Sequence, residues 1–256
     1  MVEDRAEPWV EEGEPAPVSK PASRDPDVSP GAVPSPNIWH HPQVYEIENR
    51  AVDRAGAITG VMQGLGPWAG RDVLDIGCGT GFHLPLFAGT ARSVTGVEPH
   101  GDLAAIARRR VRRLSEVTVL QGSATSLPLP DRAVDLAHAR WAYFFGPGCE
   151  PGLAELDRVM RPGGRAFVID NDPSRSTFGA WFRRGYPDVD HVEVARFWQE
   201  QGWDRHPVET AWTFDSREDL ESVVRIEFAR AVADEILAGH EGTSVDYAVN
   251  VWSRVF

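Results

Sequence analysis

Lysine is almost missing from this 256-residue chain: Lys20 is the only one among 26 lysines and arginines. Beyond it no side-chain amine exists to form a Schiff base, anchor pyridoxal phosphate or serve a P-loop. The arginines in its place read as the mark of a GC-rich bacterial genome. Cysteine is scarce too. Cys78 and Cys149 are the only two, too few for a disulfide scaffold or a cysteine-rich metal site, and a cytoplasmic setting suits them. No run of about 18 apolar residues occurs, so no segment is expected to insert into a membrane. The N-terminus lacks the basic-then-apolar layout of a secretory leader. Positive charge is in deficit: the formal net charge of −12 disfavours nucleic acid as a partner.

Residues 1–36 hold eight prolines, many acids and few apolar side chains. Such a stretch buries too little surface to offset its ordering entropy, and a disordered tail is expected there. Residues 37–256 read as one domain. Val44, Ile47, Ala51, Ala55, Ile58 and Met62 recur at spacings of three and four, which predicts an amphipathic helix over 44–62. His40 and His41 sit just before it. Neighbouring histidines rarely point at one ion and no third ligand is evident, so no metal site is expected.

Residues 73–81 read VLDIGCGTG. The apolar run Val73, Leu74, Ile76 fits a strand buried in a parallel sheet. Gly77, Gly79 and Gly81 allow a tight turn whose backbone approaches a ligand closely. A helix predicted over Phe82–Ala91 would aim its free N–H groups at the same point. Phe82 stands where a dinucleotide-binding G-x-G-x-x-G frame needs its third glycine, and no P-loop lysine is near. The next strand, Ser93–Val97, ends in Glu98-Pro99. An acid there accepts hydrogen bonds from ribose hydroxyls in nucleotide-binding α/β folds.

The stretch resembles motif I of the class I S-adenosylmethionine (SAM)-dependent methyltransferases, a strand ending D-x-G-x-G-x-G, which Asp75, Gly77, Gly79 and Gly81 match. Gly122, Ala124, Leu127, Pro128, Asp131 and Asp135 are similar to that family's G-D-A-x-x-L-P-F/L-x-D-x-x-F-D segment. Ser123 replaces the acid that contacts the adenine amine, and a serine hydroxyl binds an amine more weakly. Arg161-Pro162-Gly163-Gly164 resembles the family's turn before its fifth strand. The resemblance covers about residues 71–170 by motif and continues to 256 by element order. It implies a Rossmann-like, doubly wound, seven-stranded mixed sheet of order 3-2-1-4-5-7-6, with strand 7 antiparallel and helices on both faces. It implies SAM as cofactor. The cofactor site would comprise Asp75, Gly77, Cys78, Gly79, Gly81, Glu98, Pro99, Ser123, Ala124, Arg140 and Tyr45, with residues 37–65 as a lid.

The remaining elements read in order. A helix is predicted over 102–114, strands over Val117–Leu120 and Ala133–Ala139, a helix over Leu153–Met160 and a strand over Ala166–Asp170. Ligands of open α/β sheets sit beyond the carboxyl ends of the strands, so Arg140–Phe145 is expected to form a pocket wall. Residues 171–205, rich in aromatics, read as a helical insertion over the substrate side. A strand at Val208–Phe214, helices within 216–239 and a final strand at Val245–Phe256 complete the chain.

The function this implies is in-line methyl transfer to a small-molecule acceptor, of the type similar to ubiquinone and menaquinone biosynthesis enzymes. The methyl is already activated by the sulfonium, so placement matters more than a dedicated catalytic residue. His138, Asp172 and His41 are general-base candidates by position. The alternatives are a SAM-binding protein without activity, which Ser123 keeps open, and another SAM-fold transferase such as an aminopropyl transferase.

Overall fold

The computed structural model describes residues 27–143 and 146–256. Phe144 and Phe145 of the expected pocket wall lie outside the described residues, as do residues 1–26 of the expected tail. Seven strands form one sheet: β1 (Asp72–Ile76), β2 (Ser93–Glu98), β3 (Val117–Gln121), β4 (Val134–Arg140), β5 (Met160–Asn171), β6 (Asp204–Thr213) and β7 (Ser244–Val255). Their order is β3-β2-β1-β4-β5-β7-β6. β1 to β5 are parallel, and β7 runs antiparallel to both β5 and β6. This is the sheet expected from the sequence.

Ten helices accompany the strands among the described residues: α1 (Pro36–His40), α2 (Pro42–Ala51), α3 (Ala57–Leu65), α4 (Leu84–Ala88), α5 (Gly101–Val111), α6 (Glu150–Val159), α7 (Thr177–Gly185), α8 (His191–Glu200), α9 (Arg217–Glu227) and α10 (Arg230–Gly239). One face of the sheet takes α2 to α5, α7, α9 and α10, and the other takes α6 and α8. In α6, Leu153, Leu156 and Val159 form the buried stripe at a spacing of three, each worth about 1.5–3 kcal/mol of burial. β7 lies between β5 and β6 with both faces covered, so Tyr247 to Ser253 are all buried. That is why the last strand lacks a clean apolar-polar alternation.

Three sequence expectations change. The helix over 44–62 is broken into α2 and α3. Val52 is extended and bridges Trp212, and the Asp53 N–H donates to the Ala211 carbonyl (3.1 Å), so the chain leaves the helix to touch β6. Asp53 then caps α3, its carboxylate accepting from the N–H groups of Ala57 (2.8 Å) and Ile58 (3.0 Å). Second, residues 27–35 are not free. Val28 and Ala32 are buried, and Ser29 donates its N–H to the Pro99 carbonyl (2.9 Å). Third, the 171–205 aromatics pack into the core. Phe178, Trp181 and Phe182 of α7 join one face, and Trp198 of α8 stacks on Trp252 on the other (ring centroids 6.1 Å apart).

Candidate functional site

The carboxyl ends of β1, β2 and β4 open into a cavity of about 220 Å³. The turn after β1 forms its floor. Gly77 has φ +69°, a left-handed conformation that favours glycine, and a Cβ there would come within 2.7 Å of the Ala142 Cβ. Its N–H and that of Cys78 both donate to the Val97 carbonyl (2.8 and 3.1 Å), which clips the turn to β2. Gly79 is also left-handed, φ +54°, and its N–H donates to Glu98 Oε2 (2.8 Å).

Glu98 ends β2 and is 3% exposed. Its other oxygen accepts from the His100 N–H (3.0 Å). Burial pushes its pKa up to about 7, against the pull of these two backbone donors. Asp75, one strand over, accepts from Nδ1 of His138 (2.7 Å); the parallel register of β1 and β4 sets these two side by side. The bond puts the proton of neutral His138 on Nδ1 and leaves Nε2 as the acceptor.

The N-terminal strap closes the far side. Gly31, Ala32, Val33 and Ser35 line the cavity, with Ile38 and Trp39 of α1. The Ser123 hydroxyl donates to the Pro30 carbonyl (2.7 Å). The serine in the place of the family's acid thus holds the strap.

Arg140 ends β4. Its Nη1 donates to Nε2 of His83 (3.1 Å), its guanidinium lies 4.4 Å from the Trp141 ring centroid, and its buried Nε has no hydrogen-bond partner among the described residues. Trp141 has φ +51°, a conformation that costs a non-glycine residue about 1–3 kcal/mol. Its N–H donates to Ile169 O (3.0 Å) and its indole N–H to Asn171 Oδ1 (2.9 Å), which hold it there. Nearby, Glu48 of α2 and Glu227 of α9 form a buried carboxyl pair. Burial raises both pKa values, and Asn37 donates to Glu227 Oε1 (2.6 Å).

Of the residues expected at the site, Asp75, Gly77, Cys78, Gly79, Glu98, Pro99, Ser123, Ala124, Arg140, Tyr45 and His138 line this one cavity. Gly81 does not; it packs against Ala107 of α5. His41 is exposed between α1 and α2. Asp172 is engaged elsewhere, by Arg175 (3.0 Å) and Arg205 (3.1 Å), beside a second cavity under α8. None of residues 171–205 lines the first cavity, contrary to the expected substrate-side cover. Sequence reasoning missed the strap and the Glu48–Glu227 pair. The strap's only signal is its apolar Val28 and Ala32; the acid pair has none, because it arises where two distant helices meet.

Residues 74–168 match the family model described as a methyltransferase domain. Residues 74–168 carry a methyltransferase domain. Over 159 residues it is 28% identical to a demethylmenaquinone methyltransferase of Tropheryma whipplei, covering 56% of this chain and 65% of that protein. A probable SAM-dependent methyltransferase of Mycolicibacterium smegmatis is 38% identical over 110 residues, covering 43% of this chain and 41% of that protein. The chain thus spans less than two thirds of either relative. Among solved structures, YcgJ of Bacillus subtilis superposes with a TM-score of 0.57 at 19% identity, covering 77% of this chain and 96% of that one. A SAM-dependent methyltransferase of Aquifex aeolicus superposes with a TM-score of 0.55 at 18% identity, covering 83% and 98%.

SAM is the cofactor of this domain family, and the cavity of the methyltransferase domain fits it chemically. A buried carboxylate at the end of β2, bonded among the described residues to backbone N–H groups alone, suits a ribose diol. The left-handed turn beside it admits a ligand against bare backbone.

Proposed function

We propose that the protein transfers a methyl group from SAM to a small molecule held in the same cavity. The observation that carries this reading is the single cavity that joins the Gly77–Thr80 turn, Glu98, Ser123–Ala124 and the end of β4. Bound SAM supplies a methyl group already activated by its sulfonium. Glu98 would accept the ribose hydroxyls, and the turn would lie along the methionyl end. Adenine would rest on Ala124 and the strap, because the Ser123 hydroxyl is committed to Pro30. Trp39, Tyr45, Phe82 and Trp141 give the acceptor an apolar surround and keep water out. Transfer is then a matter of holding the nucleophile on the methyl axis. For an oxygen or nitrogen acceptor, His138 Nε2 is the atom that would take the proton, with Asp75 orienting the ring.

Several observations favour a small molecule. The strap roofs the cavity, the net charge is −12, and the demethylmenaquinone methyltransferase relative works on a small acceptor. No helix among the described residues is long and apolar enough to cross a membrane. Incubation with methyl-labelled SAM and a panel of phenols, amines, thiols and carboxylic acids tests the reading. Labelled product with stoichiometric S-adenosylhomocysteine supports it. Tight cofactor binding without product from any acceptor would favour a SAM-binding protein without activity, the reading that Ser123 keeps open.

A further inference from the structure

Arg140 is a cation in search of a counter-ion. Among the described residues no carboxylate approaches its guanidinium within 4.0 Å, whereas Arg92, Arg158, Arg161 and Arg205 all have acidic partners. Its one hydrogen-bonded partner among the described residues, His83, brings no negative charge. An arginine N–H only donates, so Nε2 of His83 is an acceptor and its ring is neutral with the proton on Nδ1. Burial and the adjacent Arg140 both drive the His83 pKa down, in agreement. The guanidinium is nevertheless held firmly. Trp141 lies beneath it, fixed in a left-handed conformation by bonds to Ile169 and Asn171. A rigid platform, a neutral anchor and an unpartnered Nε together make an anion receptor.

Two carboxylates can reach such a receptor: that of the methionyl end of SAM and that of an acceptor. Position favours the second. Glu98, the expected ribose partner, ends β2, and sheet order sets β1 between β2 and β4. Trp141 is tied to the opposite neighbour, β5. Besides His83, which follows the glycine turn, the groups that share the electrostatic surroundings of Arg140 are Tyr45 and Glu48 of α2, Asp53, and Tyr247 of β7. None belongs to the glycine turn.

We propose that Arg140 binds the acceptor, and that the acceptor is a small molecule bearing a carboxylate on a flat apolar body, its charge on the guanidinium and its body against the cavity's aromatic walls. This rests on the methyl-transfer reading above and narrows its substrate class.

The test is calorimetric, on protein saturated with S-adenosylhomocysteine. The probes are 4-hydroxybenzoate and its uncharged isostere 4-hydroxybenzamide. The expected result is at least about tenfold tighter binding of the acid. Arg140→Gln is expected to erase that difference and Arg140→Lys to keep part of it, with S-adenosylhomocysteine affinity within about twofold of wild type in both. Equal binding of the two probes, or no binding of either, overturns the proposal. So does an Arg140→Gln variant that loses about tenfold or more in S-adenosylhomocysteine affinity while 5′-methylthioadenosine, which lacks the amino acid, binds unchanged; the arginine would then serve the cofactor carboxylate. If S-adenosylhomocysteine itself fails to bind wild type, the methyl-transfer reading falls first, and that result is distinct from the others.

Discussion

Glu98 offers a pH signature that few other assignments would produce. Burial pushes its pKa up to about 7, and only the ionised carboxylate accepts from both ribose hydroxyls at full strength. A pKa near 7 leaves about one molecule in eleven ionised at pH 6 and about ten in eleven at pH 8. Affinity for S-adenosylhomocysteine should therefore rise about tenfold between those values, with proton release on binding near pH 6. Calorimetry in two buffers of different ionisation enthalpy reads both quantities. Glu98→Gln cannot ionise, so its profile should lack this rise. At pH 8 it should bind more weakly by about 1.5–3 kcal/mol, the worth of a hydrogen bond to a charged group. Other titrations, including that of the ligand's amine, are common to both proteins, so the difference between the two profiles isolates Glu98. The sign for stability is the reverse. A raised pKa means that the folded state holds the proton more tightly, so ligand-free protein loses up to about 3 kcal/mol as pH climbs from 4.5 to 7. Wild-type affinity that stays flat from pH 6 to 8, or a slope that survives in Glu98→Gln, would refute the reasoning.

Three further outcomes are expected. Gly77→Ala places a Cβ 2.7 Å from that of Ala142 at φ +69°; it should cost at least about 1–2 kcal/mol of stability, read by denaturant unfolding, and weaken S-adenosylhomocysteine binding. Ser123→Asp restores the family's acid but replaces a donor to the Pro30 carbonyl with a carboxylate; thermal melting above pH 7 should show a loss of about 1–3 kcal/mol, a few degrees in Tm, rather than tighter binding. Asp170 is 8% exposed and its pKa is raised by burial to about 6. Its folded-state proton is lost as pH rises through 6, so Asp170→Asn should stabilise the protein by about 2–3 kcal/mol at pH 8 and have little effect at pH 4.

The sheet was legible because its punctuation is chemical. Gly77 and Glu98-Pro99 mark the carboxyl ends of β1 and β2, which must be buried, and the spacing between them leaves room for one crossover helix. The cavity floor was legible for the same reason, since Asp75, the glycines and Glu98 sit at those ends. What escaped depends on contacts between distant parts of the chain. The periodicity at 44–62 runs straight through Val52 and Asp53, and only the nearby edge of β6 breaks the helix there. The strap at 27–35 has too little apolar surface to fold alone and is ordered by docking on Pro99 and Ser123. Trp141 occupies a backbone region that no residue preference suggests. The Glu48–Glu227 pair reads as two unremarked surface acids until α2 and α9 come together. Aromatics misled in the other direction: those of α7 and α8 read as pocket lining and are core.

The most direct test is a calorimetric titration of the wild-type protein with SAM and, separately, with NAD, repeated on Glu98→Ala. One SAM per chain, no comparable heat with NAD and a marked loss of SAM affinity in the variant are expected from a ribose held by Glu98 beside the Gly77–Thr80 turn. No SAM binding, a preference for NAD, or a Glu98→Ala variant that binds SAM as wild type does would contradict the assignment of this cavity.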